Sequence, residues 1–171
     1  MRRQWPALVL LPVLAAASVL WTLRLDWFPY LENQPRDVAS VAAGEGGTYG
    51  GTRFTVTETR LVDGGTSRGE ELGVAPDATL VIVSLDVEPA EGLGSCTIEA
   101  IEGETRWDTA GFTETDYSVP DRFESFCSTD ETAPYALQLT YVVPTDVADD
   151  VQLEVSDRLL LPSVLRLELG S

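Results

Sequence analysis

The sequence predicts an all-β domain, an antiparallel β-sandwich of seven or so short strands, preceded by one N-terminal transmembrane helix. Three observations carry this. After position 50, segments of alternating apolar and polar residues recur, rich in Val, Ile, Thr and Tyr and separated by Gly and Pro. No stretch there shows a long helical period. Before them, Trp5 to Leu23 runs as 19 uncharged, mostly apolar residues. A small barrel is the alternative closure of the same strands.

The N-terminal run would make a helix of roughly 28 Å, close to the hydrocarbon thickness of a bilayer. Arg2 and Arg3 precede it, while Arg24 and Asp26 behind it nearly cancel. The positive excess keeps the N-terminus cytoplasmic and exports the remainder. Trp21, Trp27, Phe28 and Tyr30 fit an interfacial belt at the far end. The rival is a cleaved signal peptide with its apolar region at Ala7–Leu14 and cleavage after Ala17. Against it, Ser18-Val19-Leu20-Trp21 continues the apolar run past the cut. The expectation is a single-pass cell-membrane protein held in the membrane by residues 5–23. Residues 1–24 form its cytoplasmic N-terminus and signal anchor, 25–51 a spacer and 52–171 the extracytoplasmic domain.

The spacer holds Pro29, Pro35, Gly44, Gly46, Gly47, Gly50 and Gly51, with a short helix over Arg36–Ala43. Thr52 to Leu61 reads as the first strand, with Phe54 and Val56 alternating with Thr55 and Thr57. Asp63-Gly64-Gly65 is a turn, and Thr66 to Asp77 a loop. Thr79 to Val87 is the most apolar strand. It puts Val81, Val83, Leu85 and Val87 on a buried face and Leu80 and Ile82 on a partly covered one. Cys96–Ile101 and Glu104–Thr109 flank Glu102-Gly103 as a hairpin. Residues 110 to 134 lack periodicity and form a long loop. Tyr135 to Val143 alternates throughout, and shorter alternations end the chain at Val151, Leu153, Val155 and at Leu165, Leu167, Leu169.

Composition narrows the chemistry. There is no His, and all 11 basic residues are Arg. Ser-His-Asp and Cys-His nucleophile systems, His-ligated metals and Schiff-base lysines are thereby excluded. After position 24, eight arginines face 28 acids, a net charge of −20. Such a surface repels nucleic acid and anionic lipid and favours basic partners or plain solubility. The two cysteines, Cys96 and Cys127, both lie in the exported part and are expected to form a disulfide.

The stretches TYGGTRFTV, TLVIVSLDV, CTIEAIEGETRW, YVVPTD and LPSVLRLEL, spread over residues 48 to 169, resemble immunoglobulin-like exported domains of Gram-positive bacteria, especially actinobacteria. The resemblance implies an immunoglobulin-like sandwich and an envelope location. These motifs encode hairpins and core strands, so the resemblance carries over no functional residue.

Three constellations remain. Glu99, Glu102, Glu104 and Asp108 surround Trp107, the residue types of a glycosidase carboxylate pair. On a hairpin, such acids more often form a solvated face. Asp146, Asp149 and Asp150, or Asp130 and Glu131, offer oxygen ligands for Ca²⁺ without matching a known loop pattern. Phe112, Tyr117, Phe123 and Phe126 stand in the aperiodic acidic loop that ends at Cys127. Loops on rigid scaffolds commonly carry binding, and these aromatics either face a protein partner or fold back over the sandwich. The expectation is a non-catalytic binding or accessory module contacting another envelope protein, with no cofactor, no resident metal and no nucleic-acid partner. A cation-binding domain and a carboxylate-dyad hydrolase are the alternatives.

Overall fold

The structure, a computed structural model, describes residues 18–21, 24, 35–90, 93, 95–111 and 114–170. The chain divides into two compact units, Met1–Pro35 and Arg36–Ser171. In the first, residues 18–21 and 24 are helical; the rest of the expected membrane span lies outside the described residues. Among the described residues, no helix is long and apolar enough to cross a membrane.

The second unit is mostly β. Its strands are β1 (Asp37–Val41), β2 (Gly46–Tyr49), β3 (Thr52–Asp63), β4 (Ala78–Glu88), β5 (Thr97–Glu102), β6 (Thr105–Trp107), β7 (Tyr135–Pro144), β8 (Gln152–Ser156) and β9 (Ser163–Glu168). A short helix, α1 (Ser67–Glu71), follows β3, and a 3-10 turn (Thr145–Val147) follows β7. One sheet runs β1-β9-β8-β5-β6 and the other β2-β3-β4-β7. All pairings are antiparallel except β1 with β9, which is parallel.

The inward rows of both sheets share one core. Phe54, Val83, Leu85, Leu137, Leu139 and Tyr141 come from one sheet, and Ala100, Leu153, Val155, Leu165 and Leu167 from the other. This is the interdigitation expected of two packed sheets. Tyr141 is wholly buried and donates its hydroxyl proton to the Ile98 carbonyl at 3.0 Å, tying β7 to β5 across the core. Burial raises its phenol pKa well above the ordinary value, with Glu99 and Asp108 adding to the shift. Tyr49 makes a second tie. Its hydroxyl donates to the Ser163 carbonyl at 2.7 Å and accepts from the Asp157 amide at 3.1 Å, fixing the β8–β9 connection.

β4 is buried on both faces. Its outward Leu80 and Ile82 lie under Leu72 and Val74 in a smaller cluster. The segment expected to be a loop, Thr66–Asp77, contains α1. Its N-cap is Thr66, whose Oγ1 accepts from the Gly69 amide at 3.1 Å. Gly64 lets this segment fold back closely, because a Cβ there would sit 1.8 Å from the Ala75 carbonyl oxygen.

The sequence reading also departs from the structure over residues 25–51. The expected spacer contains β1 and β2, and the helix expected at Arg36–Ala43 is strand instead. Both strands are defined by their partners rather than by their own composition. β1 is largely exposed and is ordered by its parallel ladder to Ser163–Leu167. Gly47 serves packing rather than flexibility, since a Cβ there would come within 2.7 Å of Leu165 and 2.9 Å of Val41.

Candidate functional site

The loop of residues 110–134 is the largest irregular segment of the domain, and four kinds of contact position it. The disulfide joins Cys96, just before β5, to Cys127, with Cα atoms 5.7 Å apart and 31 residues of separation. Backbone hydrogen bonds run along the outer edge of β7, from the Ala110 amide to the Thr140 carbonyl, from Glu124 to Ala136 and from Gln138 to Glu124. They shield an edge that would otherwise be open. The Asp116 amide reaches the Leu72 carbonyl at 2.8 Å, beside α1. Finally, the Tyr135 hydroxyl accepts from the Ser128 amide at 3.1 Å and lies 3.8 Å from Cys127 Sγ. Burial raises the Tyr135 pKa, opposed by its bond to the Ser128 carbonyl, while the charges of Glu131 and Glu124 push it further up.

The loop's aromatics have separate fates. Tyr117 packs on the Leu72–Leu80 cluster and donates to Gln138 Oε1 at 2.7 Å. Gln138 is buried, and its Nε2 donates to Ser84 Oγ at 3.0 Å. Phe123 is half-buried, with the Arg122 guanidinium 4.8 Å above its ring. Phe126 is 62% exposed. Phe112 lies outside the described residues. Tyr117 and Phe123 line a cleft of about 310 Å³ floored by Gln138 and Thr140. Phe126 borders a separate depression of about 180 Å³ beside the disulfide. The described aromatics therefore form two features rather than one patch, and of them Phe126 is presented most fully to solvent.

The acidic constellations resolve differently. Glu99 is held by Arg106 at 2.9 Å. Asp146, Asp149, Asp150, Asp130 and Glu131 are exposed. Among the described residues, no group of three or more His, Cys, Asp or Glu side chains is placed to hold a metal ion.

Sequence reasoning missed a buried ion network on the outer face of the five-stranded sheet. The Glu154 side chain is 1% exposed and receives Arg106 at 2.6 Å and Arg166 at 2.9 Å. Cross-strand register places Glu154 between Arg166 on β9 and Glu99 on β5. Partial burial lowers the Arg106 pKa, but Glu154 and then Glu99 outweigh it, so the guanidinium is held above its usual value. The only sequence signal was a Gln-Leu-Glu-Val-Ser alternation, in which Glu154 reads as a solvated position.

No family model, no curated protein and no solved structure matches this chain.

Proposed function

We propose that the protein is a membrane-anchored, extracytoplasmic module of immunoglobulin-like type, without catalytic activity, that binds another envelope protein through the 110–134 loop. Residues 5–23 supply the anchor in this reading. One observation carries it: an irregular loop is tied at several points to a rigid sandwich and presents Phe126, 62% exposed, one residue from the disulfide. A large aromatic held in place loses little freedom on binding, which favours it as an interface anchor. The loop carries six acids, Glu114, Asp116, Asp121, Glu124, Asp130 and Glu131, against Arg122 alone. Its partner surface is then neutral or basic around an apolar recess.

The test compares the full-length protein with its Phe126→Ser variant. Removing an exposed ring leaves the melting temperature nearly unchanged. The envelope protein that co-purifies with wild type after mild cross-linking of membranes is lost from the variant. Equal recovery by both proteins rejects the loop as the binding surface.

A further inference from the structure

The four-stranded sheet has an edge that is paired over only part of its length. β2 covers β3 at Thr52–Thr55, whereas β3 continues to Asp63 with β4 on its other side. From Thr57 to Leu61, no strand among the described residues pairs with the outward edge of β3. A β-bulge at Thr57 begins this stretch, and the Thr57 hydroxyl donates to the Ser84 carbonyl at 3.1 Å. Open edges template the addition of further strands.

We propose that Thr57–Leu61 pairs antiparallel with the same stretch of a second copy of this chain, about a two-fold axis at Thr59, continuing the sheet across two protomers. In that register each Glu58 faces the other copy's Arg60, and each Thr57 faces the other copy's Leu61.

Three independent features converge on this register. The first is charge. Glu58 and Arg60 share the outward face, lie 3.4 Å apart and are about half exposed, with side-chain exposures of 52% and 48%. About Thr59 they form two reciprocal ion pairs between copies. Sliding the pairing by two residues sets Glu58 against Glu58 or Arg60 against Arg60 on the axis, and like charges directly opposite repel. A slip by one residue puts the core face of one copy on the outer face of the other. The second feature is Thr59 itself. Among the described residues, its Oγ1 is the buried side-chain polar atom that lacks a hydrogen-bond partner. On the axis it meets its own counterpart, and directly opposed threonines are spaced for a hydroxyl–hydroxyl bond. The third is Leu61, 39% exposed at the end of the inward row and covered by the incoming strand.

A two-fold pairing of this kind is closed, so it consumes both edges and does not propagate into a fibre. Five paired residues bury less than the roughly 1,200 Å² of a standard interface, so the dimer is weak and concentration-dependent.

The experiment is sedimentation equilibrium of the full-length protein in nonionic detergent up to millimolar concentration. Wild type, Glu58→Arg, Arg60→Glu and an equal mixture of the two variants are compared. Each single variant places like charges opposite each other and weakens self-association by about ten-fold or more, with its melting temperature unchanged. Mixing them restores association, since one strand then carries two positive charges and the other two negative ones. Under mild oxidation, Thr59→Cys forms an interchain disulfide with itself, whereas Glu58→Cys does not. Wild type that stays monomeric throughout, a mixture no better associated than its components, or the absence of the Thr59→Cys cross-link overturns the proposal.

Discussion

Neutralising Glu154 should cost far more stability than neutralising Glu99, although both acids hold the same arginine. The Glu154 side chain is 1% exposed and bridges Arg106 and Arg166, while that of Glu99 is 26% exposed and pairs with Arg106. Glu154→Gln keeps the shape and one acceptor oxygen. It places an amide N–H where the second arginine also donates, so one charge-assisted hydrogen bond is lost, worth about 1.5–3 kcal/mol. Loss of the charge between two guanidiniums adds to this. Arg106 and Arg166 keep side-chain exposures of 38% and 29%, so both can turn toward water and recover part of it. The balance is about 2–3 kcal/mol for Glu154→Gln, against less than about 1 kcal/mol for the more exposed Glu99→Gln. Urea unfolding followed by tryptophan fluorescence reads this as a lower midpoint at an unchanged slope. The Glu154→Gln penalty persists in high salt, because buried pairs are screened less than exposed ones. Equal small shifts in the two variants, or a larger one for Glu99→Gln, would refute the claim that burial makes Glu154 the hub.

Two further outcomes follow from named contacts. Removing the disulfide with Cys96→Ala and Cys127→Ala lowers stability by roughly 3–4 kcal/mol on the chain-entropy model for a 31-residue closure; trypsin should then nick the loop at Arg122 before the domain unfolds, and a loop still resistant would show that the β7-edge hydrogen bonds suffice. Burial raises the phenol pKa values of Tyr141, Tyr49 and Tyr135 above 10.0, so the folded state holds these protons more tightly than the unfolded chain. Their contribution is full below pH 10 and is lost as pH rises beyond it. Phenolate absorbance from Tyr141 should therefore appear only together with loss of the β circular-dichroism signal, and Tyr141→Phe should be less stable by about 1–2 kcal/mol at neutral pH yet lose stability less steeply in alkali.

The parts of the fold legible in the sequence are those whose own residues declare their environment. β3 and β7 alternate with period two because one face meets the core, β4 is a near-continuous apolar run because both its faces are covered, and the expected bounds of all three lie within two residues of the observed ones. The Glu102-Gly103 hairpin was legible from its glycine, which adopts φ +57°. The disulfide was legible because Cys96 and Cys127 are the two cysteines of the sequence and so are each other's simplest partner. β1 and β2 were not legible, since Asp-Val-Ala-Ser-Val becomes a strand through β9, remote in sequence, and Gly-Gly-Thr-Tyr, half glycine, becomes one only by pairing with the adjacent β3. α1 is only five residues long with Gly69 at its centre, and its one local signal is the Thr66 cap.

The same divide runs through the candidate site. An aperiodic acidic loop ending at a cysteine could be read from composition. That Tyr117 is committed to Gln138 while Phe126 stands free could not, because both are aromatics among acids. Glu154 shows the limit of face patterns. Alternation correctly puts it on the outer face, but the arginines that bury it arrive from β6 and β9.

The most direct test of the binding account is site-specific photo-cross-linking in intact membranes. A photoreactive amino acid replaces Phe126 in one variant and Leu159, which is 79% exposed on the β8–β9 connection, in another. The account predicts a discrete cross-linked envelope protein from position 126 and none from position 159. Identical products from both positions, or a discrete product from position 159 alone, would contradict it.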